Sequence, residues 1–176
     1  KIWENNTGVK ILSGGTFNME GGRIIGNGLG KKQVGGGVDT DEGGTFQMTH
    51  GEIWFNINYG VRINGNFRIA DRPIIHGNHI SLSSPGYCDV LLKNKCIITI
   101  FDSLNMNATV GVTMDNPGLF TQGFWRENSE RKISFNSNDS RYEVIRHGSE
   151  ELYLEPRSKI VEDMINALPE PTEDQS

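Results

Sequence analysis

The sequence predicts an all-β fold: a right-handed parallel β-helix, a three-sided solenoid of about 22 residues per coil, with a C-terminal β cap and a short terminal helix. A duplicated segment carries most of this. Gly14-Gly15-Thr16-Phe17-Asn18-Met19 through Asn27 returns 29 residues later as Gly43-Gly44-Thr45-Phe46-Gln47-Met48 through Asn56, with eight of fourteen positions identical. Self-similarity at such a period marks stacked units. A column of asparagines adds the pitch: Asn5, Asn27, Asn56 and Asn78 stand 22, 29 and 22 residues apart. The third observation is strict alternation of apolar residues in runs of three to five, bounded by Gly and Asn, which reads as strand.

Each coil then resolves into three short strands. Val9 and Ile11, Val38 and Thr40, Val61 and Ile63, and Val90 and Leu92 form one inward set. Phe17 and Met19, Phe46 and Met48, and Phe67 and Ile69 form a second; Ile24, Ile53 and Ile74 form a third. Ile74-Ile75-His76-Gly77-Asn78 is taken as the Ile53-Trp54-Phe55-Asn56 corner with one residue inserted. Successive coils would pair at about 4.8 Å, and right-handed winding is the favoured chirality. The asparagine column admits a structural reading, in which amides bond from coil to coil, and a ligand-row reading; its place at a corner favours the first.

Residues 1–87 are expected to form the coils, 88–155 the last coil or coils and a cap, and 156–176 a helix and linker to a following module. An open solenoid end exposes unpaired backbone, so a cap is required. Its strands are expected at Ile98-Thr99-Ile100, Thr109 to Met114, Ile133-Ser134-Phe135, Tyr142 to Ile145 and Glu151 to Leu154. Ser158 is placed as the N-cap of a helix running to Leu168, with Ile160, Val161, Met164, Ile165 and Leu168 on one face and Pro169 ending it.

Composition bounds the function. Gly supplies 22 of 176 residues, well above the usual ~7%, which suits many tight corners. A net charge of −5 with no basic patch argues against nucleic acid as a partner. No stretch approaches the ~20 apolar residues of a membrane helix, so no membrane insertion is expected. Lys1, with neither a signal peptide nor a methionine, reads as the start of an excised or processed fragment. Cys88 and Cys96 either bridge across Asn94-Lys95 or remain free thiols.

The pattern Gly-Gly-Thr-Phe-x-Met-x-x-Gly-x-Ile-x-x-Asn, followed by Gly35-Gly36-Gly37-Val38, resembles the right-handed β-helix repeats of large secreted or cell-wall-associated bacterial proteins with a pectate-lyase-like fold. The run Asp89-Val90-Leu91-Leu92, Val110-Gly111-Val112-Thr113-Met114 and Pro117-Gly118 resembles the segment that closes such arrays. The resemblance implies a secreted or surface-displayed bacterial scaffold or adhesin. It would bind glycan or a host or neighbour surface protein through outer-face loops, beside flanking domains of the same polypeptide. The rival reading is a truncated polysaccharide lyase or glycoside hydrolase, or an accessory domain of a larger secreted enzyme.

Candidate sites follow from the outward positions. Trp3 and Trp54 occupy equivalent places, with Ile25 and Ile75 in register between and beyond, and form either an exposed apolar stripe or one covered by a loop. The excursion Gly28 to Gly36, with Lys31 and Lys32, and the loop His79 to Tyr87 leave the same corner, where recognition is expected. Asp39, Asp41 and Glu42 form an acidic corner that is either a calcium site or a solvated surface; no other cofactor is implied. Catalysis would need carboxylates and a basic group recurring on one outer face. Arg62 and Arg68 near Asp39 and Asp41 come closest without completing a set, so no catalytic residue is assigned. His50, His76 and His79 do not share a metal-ligand spacing on one strand and read as loop histidines.

Overall fold

The computed structural model describes residues 1–29, 35–83, 86–124, 134–147 and 151–166. It is a parallel β-solenoid of about five turns. One wall stacks β2 (Val9–Ile11), β4 (Val38–Thr40), β6 (Val61–Ile63), β8 (Val90–Leu92) and the end of β10 (Thr109–Met114), all parallel. The other stacks β3 (Thr16–Ile25), β5 (Thr45–Trp54), β7 (Asn66–Ile75), β9 (Ile98–Leu104) and β11 (Thr121–Gln122). The second and third strands expected in each coil run together as one ten-residue strand, broken by register shifts near Glu20 and His50. β1 (Ile2–Trp3) lies on the second half of β3.

Alternation places the expected residues inside. Val38, Val61, Val90, Phe46, Met48, Phe67, Ile69, Ile24 and Ile53 are buried, and equivalents sit directly over one another. Phe17, Phe46 and Phe67 stack with centroids 5.7 and 5.2 Å apart and nearly parallel planes. Burial of each such ring is worth about 1.5–3 kcal/mol. One expectation is corrected. Ile53 pairs with Ile75, not Ile74, and Ile75 is the buried residue. The corner carries no insertion: Ile2, Ile24, Ile53 and Ile75 each stand three residues before their asparagine.

Those asparagines form a continuous ladder that starts at exposed Asn5 and is buried from Asn27 to Asn78. The Asn5 amide donates to Asn27 Oδ1 at 3.2 Å, Asn27 to Asn56 Oδ1 at 2.9 Å, and Asn56 to Asn78 Oδ1 at 2.9 Å. Each oxygen also accepts the backbone N–H of the preceding asparagine. The second amide proton goes to corner carbonyls such as Trp54 O and Ile24 O. Turn length can vary because the ladder fixes only the corner: the rungs are 22, 29 and 22 residues apart.

The ladder ends on a different residue. Gly8, Gly37, Gly60, Asp89 and Gly111 each precede an inward valine or its equivalent on the first wall, and a Cβ at Gly60 would lie 2.5 Å from Asn78 Nδ2. The fifth turn cuts the corner, since Val110 pairs with Ile75 and Val112 with Val90, leaving no room for a fifth asparagine. The buried carboxylate of Asp89 takes that place. Its Oδ1 accepts Asn78 N–H at 2.8 Å and Asn78 Nδ2 at 2.9 Å; its Oδ2 accepts Asn138 Nδ2 at 2.8 Å. The side chain fits because Gly111 lacks a Cβ, which would lie 2.2 Å from Oδ2.

Beyond this point β12 (Ser134–Ser137) pairs with β10, and β13 (Tyr142–His147) and β14 (Glu151–Pro156) form an antiparallel hairpin. Phe120, Phe124, Phe135, Leu152 and Leu154 close the core. Glu151 fastens the hairpin to the last turn, accepting from Thr121 Oγ1 at 2.7 Å and Gly123 N–H at 2.6 Å. The expected strand residue Ile133 lies outside the described residues. Helix α1 spans Arg157–Asn166, so Ser158 sits within its first turn and is not the N-cap. Of the expected apolar face, Ile160 is half-buried while Val161 and Met164 are exposed; the Ile165 side chain and Leu168 lie outside the described residues.

Asp89→Asn tests the ladder's end. An amide offers one acceptor where two are used, so a donor must face either Asn78 or Asn138. A loss of about 2 kcal/mol is expected, read as a lower urea midpoint with unchanged m-value.

Candidate functional site

The outward positions of the third turn assemble an aromatic row. Ile53 points into the core, so Trp54 beside it points out, in register with Ile25 and through it Trp3. Trp54 meets Phe55 with centroids 6.1 Å apart, Phe55 meets His79 at 5.9 Å, and His79 meets Tyr87 at 5.1 Å. Trp3, Trp54, Phe55, Tyr87, Ile80 and Leu82 are all exposed. The structure therefore joins Trp54 to Tyr87, which the sequence had proposed separately, through His79, the first residue of the expected recognition loop, and through Phe55, which the sequence had not proposed. Trp3 belongs to the same column but is set apart by half-buried Ile25. The stripe does not continue to Ile75, which is inside; His76 follows Trp54 and is exposed.

The backbone that presents the row is pinned on both sides. Phe55 N–H donates to Gly77 O at 3.1 Å, and Phe55 O accepts from Gly26 N–H at 3.2 Å. His79 N–H donates to Asn56 O, and Ile80 N–H to Gly86 O, folding the loop back so that His79 and Tyr87 pair antiparallel. Phe55 occupies the left-handed region at φ 53°, in the corner column of Glu4, Gly26 and Gly77. Glycine accepts that conformation freely, whereas a side chain there costs about 1–2 kcal/mol. A strained, exposed aromatic on a rigid corner is the kind of feature that collects at functional sites.

The acidic corner is differently employed. Asp39 is buried between Lys10 and Arg62, its neighbours in register. Arg62 reaches its two oxygens at 2.9 and 2.6 Å, and Lys10 reaches Oδ2 at 3.0 Å. Lys10 also holds Asp41. Burial pushes the Asp39 carboxyl up, but the bonds and charges of Arg62 and Lys10 outweigh it and leave the group below its ordinary 3.8. Two cations thus already face the carboxylates proposed for calcium, and exposed Glu42 is not among their partners. Among the described residues no group of three or more His, Cys, Asp or Glu converges as a metal site. Arg62 also lies over the Tyr59 ring at 5.0 Å, beside a polar cleft lined by Asn6, Thr7 and Asn58. Burial first, then Asp39, push the Tyr59 hydroxyl up to about 12, so it is no acid–base group near neutrality.

Lys31 and Lys32 lie outside the described residues. His50 pairs with Asp71 at 2.8 Å, and Arg68 lies over Phe101 at 4.8 Å, while Asp39 is bonded by Arg62 and Lys10. Cys88 and Cys96 are free, and burial pushes the Cys88 thiol up to about 12. Among the described residues no helix is long and apolar enough to cross a membrane. No family model matches the chain, and neither a curated protein nor a solved structure shows significant similarity to it.

Two outcomes follow from this geometry. Phe55→Gly relieves the left-handed strain and should raise stability by about 1 kcal/mol in thermal denaturation, an unusual gain for deleting an aromatic ring. Because folded Asp39 titrates below its unfolded value, its stabilisation is full above that unfolded value and is lost as pH falls through the folded one. Arg62→Met should move that loss to higher pH, seen in the Asp39 carboxyl shift by NMR titration.

Proposed function

We propose that this chain is a non-catalytic display module of a bacterial secreted or cell-surface protein, built on a pectate-lyase-like solenoid, whose aromatic row binds glycan. The observation that supports the reading is the contiguity of exposed Trp54, Phe55 and Tyr87 with half-buried His79 on hydrogen-bonded corners. Aromatic faces stack on the C–H faces of sugar rings, and their amphipathic rims serve hydroxyl-rich ligands without a formal charge. Trp3 and Trp54 stand two rungs apart, roughly 9–10 Å at the strand spacing, so an extended chain lying along the solenoid axis would meet both. Polysaccharide cleavage draws less support. The carboxylates nearest an acid–base set, Asp39 and Asp41, are engaged by Lys10 and Arg62.

A glycan array combined with tryptophan fluorescence tests the reading. Trp54→Ala and Tyr87→Ala should each weaken binding about tenfold or more, in line with loss of about 1.5 kcal/mol per aromatic contact, while Tm stays within a few degrees. Release of reducing sugar from any bound polysaccharide would overturn the reading in favour of an enzyme. Binding that survives both substitutions would remove the row from the site.

A further inference from the structure

One corner inside the stack is shorter than the corners on either side of it. Phe67 follows Ile63 by four residues, whereas Phe46 follows Thr40 and Ile98 follows Leu92 by six. The residues at both ends of these corners are nevertheless in register. Asn64-Gly65-Asn66 therefore cannot track both neighbours. It is drawn onto the preceding corner: Asn66 N–H donates to Gly44 O at 2.8 Å, and a Cβ at Gly65 would lie 2.3 Å from that same oxygen. Against the following corner a cleft of about 370 Å³ opens, with Asn66, Asn94, Lys95, Cys96, Thr99 and Gln122 in its lining.

The side chains around this cleft keep hydrogen bonds to give. Among the described residues those of Asn94, Lys95, Thr99 and Gln122 have no partner, and Asn66 donates only to Thr45 Oγ1, at 3.3 Å. Asn94 and Lys95 sit at φ 50° and 146°, and side chains held in such conformations cluster at ligand clamps. We propose that the cleft is a second ligand site, taking a single neutral sugar ring by hydrogen bonding. Amides and hydroxyls both donate and accept, as ring hydroxyls do, and half-buried Ile97 offers the ring an apolar contact. The volume falls at the small end of ligand pockets, roughly 300–1,000 Å³. Charge favours a neutral occupant: Lys95 lines the cleft while the Glu42 carboxylate acts on Cys96, so neither sign prevails. The site goes beyond the aromatic row. It lies at the corner entering β7 and β9, not at the asparagine corner, shares no residue with the row, and does not depend on the row binding glycan.

Cys96 lines the cleft and reports its occupancy, while Cys88 is buried and serves as the internal reference. Glucose, galactose, mannose and N-acetylglucosamine are tried singly on the intact chain, at about tenfold above a millimolar Kd. Iodoacetamide alkylation of each cysteine is read by mass spectrometry, and the side-chain amides of Asn66, Asn94 and Gln122 by NMR. At least one sugar slows Cys96 alkylation about fivefold or more relative to glycerol at equal concentration, and moves the three amide signals. Gln122→Ala, at an exposed position, weakens that binding about fivefold, and Trp54→Ala leaves it unchanged. Protection that glycerol matches, that Gln122→Ala leaves whole or that Trp54→Ala abolishes overturns the proposal, as does a panel in which no sugar moves the amides. Shifts confined to Trp54, Phe55 and Tyr87 overturn it while the glycan reading of the row stands; shifts confined to the cleft amides uphold it and count against that reading.

Discussion

The structure depends on one directional interaction. A carboxamide has an oxygen that accepts and a nitrogen that donates, so amides stacked 4.8 Å apart can link only if all point the same way. From Asn5 to Asn78 they do, and each also gathers the stray backbone groups of its corner. A buried corner would otherwise strand several polar atoms, each costing about 1–3 kcal/mol. The ladder thus permits corners to be buried while the loops leaving them differ in length. That is why the rungs stay in register although 22 residues separate some corner asparagines and 29 others.

A directional ladder must be stopped by something that does not propagate direction. Asp89 does this because a carboxylate has no nitrogen: it receives from Asn78 on one oxygen and from Asn138 on the other. The arrangement requires a matched vacancy, provided by Gly111, and a shortened corner, provided by Val110-Gly111-Val112 running straight between walls. Three local features therefore form one device that ends the array at the point where Phe120, Phe124 and Phe135 turn edge-on to each other and the cap begins.

Much of this was legible in the sequence because parallel stacking makes position in the chain equivalent to position in space. Phe17 over Phe46 and Val38 over Val61 needed only the period. The slip at Ile74 arose where two isoleucines adjoin and hydropathy cannot choose; distance to the asparagine chooses correctly, and gives Ile75. The role of Asp89 was hidden because it stands in the glycine column, eleven residues after Asn78, where a ladder position is not expected. The ion pairs of the acidic corner were hidden for a related reason. Lys10 and Arg62 lie 29 and 23 residues from Asp39, close only once the rungs are stacked.

The aromatic row was half legible. Trp3 and Trp54 share a column that the period reveals, but Phe55 falls at a corner where two of the four equivalents are glycine, and a bulky residue there reads as tolerated when it is in fact strained. The ladder makes that strain bearable. Asn56, next in sequence, is held by Asn27 before it and Asn78 after it, so the Phe55 backbone is over-determined by bonds it does not itself make. A ring fixed in this way loses little conformational freedom when a ligand stacks on it, and ordering cost is a main debit of binding at exposed side chains. Rigidity of the corner, more than the number of aromatic residues, would therefore be what suits this face to the glycan binding proposed for it.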